Sequence, residues 1–428
     1  MLHQRGLQEK RKGQKRATLL AHCNRIFNRL SLSFKDMLKQ LKQVSCALAI
    51  GLGGFSTSYG QVELIGVGSL SGQARDLSKI DDPNNEGLNR LGGFSALEYT
   101  GDNRYIALSD RGPKDGAIDF KCRLHVLSID VQNDSASVDV SLHETRMLTS
   151  ARDLPFTGSS SVYDANQTSA GRLDPEGIRV AGDGGYVISD EYGPQVIEFA
   201  NDGKEKRRWK VPQYFLAEQL APTKAEENAL NTKGRLSNNG LEGLARTPDG
   251  NWLGLMQKPL MQDCVRDDDG GYSGVNCRMV ELGQTRGSQF VYQLDSPENK
   301  LNEILAISET TFLVIERDGE PGLDAKFKRI MLIDTSGATD VASLDTLPAE
   351  LPESIVPVSK RVFIDLLDPA YGLAGENLPE KIEGLAFGPD LKDGRRLLVV
   401  CSDNDFVETN ASQFYLFAIG GKQLLSAN

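Results

Sequence analysis

The chain has 428 residues, of which 39% are apolar and 25% are charged, with 43 glycines and 17 prolines. This supply of turn residues is typical of many short strands, and the length allows one large all-β domain. The net charge of −11 argues against nucleic-acid binding, which needs a basic surface, and the sequence contains no apolar run long enough to predict a membrane-spanning helix.

Residues 1–60 are rich in lysine and arginine, unlike the rest of the chain. A positive stretch after Met37 leads into an apolar run from Val44 to Phe55, with small residues before Gln61. This order is typical of a secretory signal peptide, so we expect a leader over 1–60, a mature domain over 61–428 and a periplasmic or secreted protein. The long stretch ahead of Met37 makes this methionine a second candidate start. A basic amphipathic helix, such as a transit peptide, is the alternative.

One pattern then recurs along the chain: a turn, a short apolar strand, a glycine-rich turn and a second strand that ends in polar residues. Turns such as Pro248-Asp249-Gly250 indicate hairpins, because glycine supplies the positive φ of tight β-turns. The polar strand ends are Asp110-Arg111, Asp190-Glu191, Gln257-Lys258, Glu316-Arg317 and Asp403-Asn404.

Repeated antiparallel units of three or four strands predict an all-β fold, a single β-propeller of five clear blades with insertions. A sixth blade is possible within 336–380. The strand Val62–Val67 has no hairpin partner nearby, and we predict that it closes the ring by completing the last blade. A helix from Thr223 to Leu230, opened by a capping box with Glu226, is predicted as an insertion.

Three of the units begin with a glutamate followed by glycine: Glu176-Gly177, Glu242-Gly243 and Glu383-Gly384. The first unit has Ser95-Ala96-Leu97 at this place, and we align Glu303-Ile304-Leu305 of the fourth unit with it. The first strand of every blade lines the central channel, and its start lies beside the end of the second strand. We therefore expect the carboxylates at these positions to converge on one mouth.

Crowded carboxylates repel one another and would hold their protons unless a cation compensates. Oxygen ligands without imidazole favour a hard cation, so we predict a Ca²⁺ site. The candidate ligands are Glu176, Glu242, Glu383, Asp110, Asp190 and Asp403. The alternative is that each glutamate only caps backbone N–H groups at the entry to its blade.

Arg111, Lys258 and Arg317 stand at the same strand ends and would suit an anionic ester or phosphate. In the hydrolytic interpretation, Glu191 or Glu316 is the general base, and Arg111 with Arg317 holds the anion. Both arginines would instead be salt-bridge partners between blades in a structural interpretation.

Other chemistries have weaker support in the sequence. His125 and His143 lie in strand-like contexts, and neither a nucleophile elbow nor a nucleotide-binding glycine loop is present. An oxidising compartment would permit disulfides, and from their places in the strands we predict Cys122–Cys401 and Cys264–Cys277 bridges.

The ordered motifs resemble the phytase-like family described as having "esterase-like activity of phytase". The stretches that carry this resemblance are Gly93-Phe-Ser-Ala-Leu97, Ser109-Asp-Arg-Gly112, Asp174-Pro-Glu-Gly-Ile178, Ser189-Asp-Glu-Tyr-Gly193, Gly240-Leu-Glu-Gly-Leu244, Leu313-Val-Ile-Glu-Arg-Asp318, Lys381-Ile-Glu-Gly-Leu385 and Ser402-Asp-Asn-Asp-Phe406. The family name implies an ester or phosphoester substrate. The layout is also similar to that of calcium-dependent lactonase propellers, and this analogy implies Asn404 and Asp403 as ligands beside Glu176 and Glu242.

The leading hypothesis is an exported, calcium-dependent and monomeric hydrolase of small esters or phosphoesters. A non-catalytic propeller that binds a sugar, peptide or polymer is the second hypothesis, with Tyr192, Tyr272 and Phe406 as candidate contacts. A structural module stabilised by calcium is the third.

Overall fold

The computed structural model describes residues 62–131, 137–163, 165–268, 270–283 and 287–420. They form five four-stranded antiparallel sheets, and the innermost strands of neighbouring sheets pack side by side around one axis. The predicted all-β propeller of five blades is confirmed. The expected leader over 1–60 and the alternative start at Met37 lie outside the described residues. No helix in the described ranges is long and apolar enough to cross a membrane.

The strand predicted at Val62–Val67 is present as β1 (Val62–Leu70), which pairs antiparallel with the last strand of the chain and forms the outer edge of blade 5. Blade 1 consists of β2 (Phe94–Gly101), β3 (Arg104–Ser109), β4 (Arg123–Val131) and β5 (Val138–Met147). Blade 2 consists of β6 (Pro175–Val180), β7 (Tyr186–Asp190), β8 (Gln195–Phe199) and β9 (Glu205–Trp209).

Blade 3 carries two insertions, the helix α1 (Lys224–Leu230) before it and the hairpin β12 (Val265–Arg266) and β13 (Tyr272–Ser273) within it. Its own strands are β10 (Leu241–Arg246), β11 (Trp252–Met256), β14 (Asn276–Leu282) and β15 (Gln289–Gln293). The side chain of Thr223 accepts a hydrogen bond from the Glu226 N–H, so the predicted capped helix is confirmed.

Blade 4 consists of β16 (Lys300–Ala306), β17 (Thr311–Arg317), β18 (Lys328–Asp334) and β19 (Ser359–Asp365). Blade 5 consists of β20 (Lys381–Asp390), β21 (Arg396–Asp403), β22 (Ser412–Ile419) and β1. Short 3-10 helices occur at Gln213–Phe215, Met261–Asp263 and Gly322–Asp324. The region 336–380 contributes β19 to blade 4, so the possible sixth blade is not formed there.

The third strand of blade 3, β14, has no clear apolar pattern in the sequence. Arg278 and Glu281 interrupt the apolar run in β14, which hides the strand. Arg278 is nevertheless fully buried, because its Nε donates to Asp263 Oδ2 at 2.7 Å. A buried ion pair therefore stabilises this strand in place of an apolar contact.

The apolar core is divided among the blade interfaces. Five hydrophobic clusters each join residues of two neighbouring blades, and together they run around the whole ring. Cys122 belongs to the cluster between blades 1 and 2, whereas Cys401 belongs to the cluster between blades 5 and 1. These two cysteines, together with Cys264 and Cys277, are free thiols, so the structure forms neither of the expected bridges.

Each innermost strand carries a β-bulge near its start, and the register of its pairing shifts at that point. A bulge turns one side chain out of the normal alternation of a strand, and bulges are common beside functional sites. The first residue at each irregularity is Ser95, Glu176, Glu242, Asn302 or Glu383, and in blades 2 and 4 the irregularity also includes the next residue, Gly177 or Glu303. Asn302, rather than Glu303, is therefore the residue of blade 4 that corresponds to the repeated glutamates.

The glycine after each glutamate allows neighbouring blades to approach closely. A Cβ on Gly243 would lie 2.6 Å from the backbone oxygen of Asn302, and one on Gly177 would lie 2.7 Å from the backbone nitrogen of Leu244. Both contacts are shorter than van der Waals packing permits, and both involve the innermost strand of the next blade. The repeated Glu-Gly pair thus combines a side chain aimed at the mouth with a backbone that fits against its neighbour.

Arg179 contacts the innermost strands of other blades, further along the channel than the bulges. It lies on β6 three residues beyond Glu176, and its guanidinium donates to the carbonyl oxygens of Leu97 at 3.3 Å and Ile304 at 2.7 Å. The same group pairs with Glu303 at 3.0 Å. Burial raises the pKa of Glu303 to about 8, and Arg179 opposes this shift. One arginine thus links the innermost strands of three blades.

The tight packing at Gly243 generates a prediction about stability. We expect Gly243→Ala to lower the free energy of unfolding by about 1–3 kcal/mol, because the new Cβ must displace backbone of blade 4. Gly337→Ala is the matched control, since no heavy atom lies within 4 Å of its added Cβ. Urea unfolding of both variants tests the prediction, and equal midpoints would contradict it.

Candidate functional site

The bulged side chains form a ring at the mouth of the channel, with Asn302 between two of the glutamates. Asn302 Nδ2 donates to Glu242 Oε1 at 2.8 Å and to Glu383 Oε1 at 3.1 Å. Gln257, at the end of β11, donates its amide to the same oxygen of Glu242 at 2.5 Å. Ser95 instead donates to the carbonyl of Pro175 at 2.8 Å. Blades 3, 4 and 5 are therefore linked by an amide and carboxylate network.

Several acceptor atoms of this ring have no donor. Glu242 Oε2, Asn302 Oδ1 and Gln257 Oε1 are buried without a hydrogen-bond partner, and these residues are 3%, 2% and 5% exposed. Buried oxygen atoms of this kind are costly unless something satisfies them. Oxygen atoms of this kind, three of them on neighbouring side chains, are the ligands that a hard cation prefers. The residues present therefore fit a bound divalent metal ion.

A second group of carboxylates lies on the side of blade 2. Ligand oxygens of Asp174, Glu176 and Glu191 all lie within 4.8 Å of one another. Arg111 Nη1 pairs with Asp174 Oδ2 at 2.8 Å, and its backbone N–H donates to the other oxygen of Asp174 at 3.1 Å. Arg111 also reaches Glu191 at 4.0 Å and pairs with Asp115. Sequence reasoning assigned no role to Asp174, although it begins the same motif as Glu176.

Burial and mutual repulsion raise the pKa values of these acids. Burial, followed by the charge of Glu242, holds the pKa of Glu176 well above its usual range. The pKa of Glu242 is raised by burial and then by Glu191 and Glu383. Burial and Asp174 raise the pKa of Glu191 to about 7, against the opposing effect of Arg111. The ring therefore carries more negative charge than the nearby cations balance.

Lys300 is a cation that interacts with both Glu191 and Glu242. Sequence reasoning did not identify it. It begins β16 and pairs with Arg317 in the ladder of blade 4. Burial and Arg317 lower the pKa of Lys300, whereas Glu191 and Glu242 oppose that change. Lys300 and Glu176 are both only partly buried, unlike Glu242 and Asn302. The ring is thus reached from the side of these two residues.

A third acidic group lies where blades 5 and 1 meet. Asp403 Oδ2 pairs with Lys381 Nζ at 2.9 Å, and Lys381 also pairs with Asp405. Burial and the charge of Asp403 hold the pKa of Asp110 well above its usual range. Glu383 pairs with Arg317 Nη2 at 2.7 Å. Asp403 and Glu383 therefore already have cationic partners, of which sequence reasoning did not identify Lys381, whereas Asp110 accepts a hydrogen bond from the N–H of Gly112 at 2.8 Å.

Asp190 and Asn404 hold turns together. Asp190 accepts hydrogen bonds from the backbone N–H groups of Asp174 and Gly193, at 2.8 and 3.0 Å, and from the side chain of Gln195 at 2.7 Å. Asn404 Oδ1 accepts from the N–H groups of Gly93 at 3.0 Å and Phe406 at 3.1 Å. Their oxygens are occupied by backbone donors, which favours the capping role over the metal-binding role that the sequence suggested.

Glu316 faces blade 3 instead of the mouth, because adjacent residues of a strand point to opposite sides. It accepts hydrogen bonds from the Tyr292 hydroxyl at 2.7 Å and from Asn299 Nδ2 at 2.8 Å, and it pairs with Lys360 at 2.9 Å. Arg317, its neighbour in β17, points to Glu383. The geometry thus gives Glu316 a structural network and separates it from Glu191, the other candidate base.

Comparisons with known proteins add one family and several distant likenesses. A family model with the description "Phytase-like: Esterase-like activity of phytase" matches residues 89–406. An "Uncharacterized secreted protein" from Arthroderma benhamiae is 25% identical over 88% of this chain and 92% of its own length.

Among solved structures, a putative exo-beta-1,3-galactanase from Bifidobacterium bifidum covers 83% of this chain and 94% of its own, at 8% identity and a TM-score of 0.40. An aldose sugar dehydrogenase from Streptomyces coelicolor covers 84% of this chain and 98% of its own, at 12% identity and a TM-score of 0.31. Scores this low give no information on function.

The unbalanced charge of the ring predicts how stability depends on pH. The folded-state pKa values of Glu176 and Glu242 lie above the unfolded value of about 4.3, so the fold favours their protonated forms. Their stabilising contribution is complete below that pH and is lost as the pH rises through the folded values. We therefore expect the cation-free protein to melt at a lower temperature at pH 8 than at pH 5.

Glu176→Gln tests the cause, because it removes one charge from the ring. The cation-free variant should melt above the wild type at pH 8 and close to it at pH 4, as measured by calorimetry in EDTA. Glu309→Gln, at an exposed position, is the control and should change little at either pH. A Glu176→Gln variant that melts below the wild type at pH 8 would contradict the repulsion that we describe.

Proposed function

The chain belongs to the phytase-like family, and from this premise we propose that it hydrolyses small esters or phosphoesters with the help of a bound divalent cation, Ca²⁺. The observation that carries the proposal is the ring itself. Glu242, Asn302 and Gln257 have unsatisfied oxygens, and the charge of Glu191, whose pKa is raised to about 7, acts on Glu242. A cation site and a general base are thus adjacent, as hydrolysis requires.

In this proposal the cation is held by Glu176 and Glu242, with the amide oxygens of Asn302 and Gln257. These ligands are all oxygen atoms, which Ca²⁺ prefers. Glu383 is already paired with Arg317 and is therefore not a ligand in this proposal. When bound, Ca²⁺ would supply Lewis-acid stabilisation of the negative charge that develops on the substrate.

Glu191 is the proposed general base. The N–H of Gly240 donates to Glu191 Oε1 at 3.2 Å and so orients the carboxylate. Glu191 lies within 4.8 Å of Glu176, so a water molecule activated by this base would be next to the proposed ligands. A pKa of about 7 lets the group accept a proton and release it again near neutral pH.

Arg111 and Lys300 are the proposed contacts for the anion of the substrate. Arg111 is positioned by Asp174 and reaches Glu191 at 4.0 Å. Lys300 faces Glu191 and Glu242 and is partly exposed. Arg317 has a smaller role than the sequence suggested, because its guanidinium is engaged by Glu383.

We further propose that residues 1–60 direct export and that the mature domain over 61–428 acts as a monomer outside the cytoplasm. The order of basic and apolar residues in the leader supports export, and a relative of the chain is named a secreted protein.

Glu191 and Glu316 occupy corresponding strand ends in blades 2 and 4, and substitutions at these two positions distinguish an effect on catalysis from an effect on stability. Glu191→Gln should lower kcat for a hydrolysed ester by about 10²- to 10⁴-fold without lowering Tm, because it removes the base and also one of the charges that repel Glu242. Glu316→Gln should instead lower the free energy of unfolding by about 1–3 kcal/mol, because it disturbs a buried hydrogen-bonded network.

The pH profile of kcat/KM provides the second measurement for these variants. The activity of the wild type should rise with pH as Glu191 loses its proton, at about pH 7 or below it when Ca²⁺ is bound. Glu191→Gln should abolish this limb, and Glu316→Gln should retain it. A wild-type limb in the Glu191→Gln profile would refute Glu191 as the base.

The cation itself is tested by removal and replacement. EDTA should abolish hydrolysis of aryl esters and aryl phosphates, and Ca²⁺ should restore it. Glu242→Gln should weaken Ca²⁺ binding by about tenfold or more in calorimetry, since its unsatisfied oxygen is a proposed ligand. A protein that keeps full activity in EDTA would disprove cation dependence. One that binds Ca²⁺ and hydrolyses none of these substrates would favour the binding propeller.

A further inference from the structure

A side pocket of about 270 Å³ lies at blade 3, between the segment that precedes β10 and the connection from β11 to β14. Its polar lining residues include Asn228, Asn239, Lys258 and Tyr272. These residues lie in segments that precede the innermost strand of blade 3 or connect its second and third strands. In an antiparallel blade, such segments lie on the same face as the start of the innermost strand. The pocket therefore opens on the face from which the ring is reached.

The two insertions of blade 3 build one wall of this pocket. The helix α1 supplies Asn228, and the hairpin of β12 and β13 supplies Tyr272. The hydroxyl of Tyr272 donates to the carbonyl of Asn231 at 3.0 Å, which ties the hairpin to the end of the helix. Asn231 is itself 3% exposed and donates to the carbonyl of Glu227 at 2.7 Å. The wall is thus held by a defined set of hydrogen bonds.

Lys258 is the cation of the pocket. It is partly buried, its ammonium donates to the carbonyl of Pro297, and it forms no ion pair with a carboxylate in the described part of the chain. An ammonium has three donor hydrogens, so donors remain for a ligand in the pocket.

Two amides lie near this lysine. Asn228 Oδ1 accepts a hydrogen bond from the N–H of Ser237 at 2.7 Å, which orients its amide and leaves the Nδ2 group as a donor. Asn239 lies at the other side, where its Nδ2 donates to the carbonyl of Ser237 at 3.0 Å. The pocket thus combines one positive charge with amide donors, a set that suits oxygen atoms of an anion.

The pocket is directly linked to the proposed catalytic residues. Lys258 follows Gln257, whose amide donates to Glu242. Asn239 precedes Gly240, whose N–H donates to Glu191. The charge of Lys258 acts on Lys300, and Lys300 in turn interacts with Glu191 and Glu242. A molecule that fills the pocket would therefore extend from the side of the ring that contains the proposed base and a proposed ligand of the cation.

We propose that this pocket binds a free carboxylate of the substrate, so that the preferred substrates are esters that carry a second, negatively charged carboxylate beyond the scissile bond. This inference rests on the proposed function. A carboxylate is favoured over a phosphate because Lys258 supplies one positive charge, which balances a monoanion in a partly buried site. A phosphate dianion would leave a net negative charge there.

Two aryl esters that differ in the tail test the proposal. The wild type should hydrolyse p-nitrophenyl hydrogen succinate with a kcat/KM at least about tenfold above that for p-nitrophenyl butyrate, since a charged hydrogen-bonded contact is worth about 1.5–3 kcal/mol. Lys258→Met should raise KM for the succinate ester by a similar factor and leave its kcat and both constants for the butyrate ester unchanged. Lys233→Met is the matched control, because Lys233 is exposed and lies in the segment between α1 and β10.

Calorimetry with succinate and with inorganic phosphate separates the pocket from the catalytic function. Succinate should bind to the full chain and to Glu191→Gln, and Lys258→Met should lose this binding without a change in Tm. If neither ester is hydrolysed but succinate binds through Lys258, the proposed function fails and the pocket stands. If both esters are hydrolysed equally and Lys258→Met changes nothing, the pocket assignment fails alone. Binding of phosphate in preference to succinate would overturn the carboxylate assignment.

Discussion

The close approach of the five innermost strands at the axis is the constraint on which the site depends. The approach is closest where a strand presents no side chain, as at Gly177 and Gly243, whose added Cβ atoms would enter the backbone of the next blade. The bulge beside each of these glycines turns the preceding residue toward the mouth. The same feature that packs the ring thus forces carboxylates from different blades into one small volume.

The protein compensates most of this charge within the fold. Arg179 pairs with Glu303 below the ring, Arg317 pairs with Glu383, and Lys381 pairs with Asp403. Glu176 and Glu242 have no such partner in the described part of the chain, and burial raises the pKa of each. The acids without a cationic partner are therefore Glu176 and Glu242, on one side of the mouth. A bound cation would stabilise the fold most at this side.

The sequence predicted the propeller and the convergence of the repeated glutamates, because Glu-Gly pairs and hairpin turns are local signals. It did not predict which residue of blade 4 completes the ring, since Asn302 is followed by Glu303 instead of glycine and the pattern aligned the wrong residue. The sequence also did not predict the contacts of Glu316, for a different reason. The orientation of a side chain at a strand end depends on pairing register, and the pattern places Glu316 and Arg317 at the same end without saying which of them faces the axis.

The ring is nearly symmetric in its backbone, but its surroundings are not. Blade 3 alone among the described blades adds both α1 and the hairpin of β12 and β13, and these insertions stand over the side of the mouth that contains Lys258. A purely structural cation site would need no such wall, because its ligands come from the innermost strands and the end of β11. The wall is instead placed where a molecule that contacts Glu191 would extend away from the axis. This asymmetry favours a mouth that receives a ligand over one that only holds the blades together.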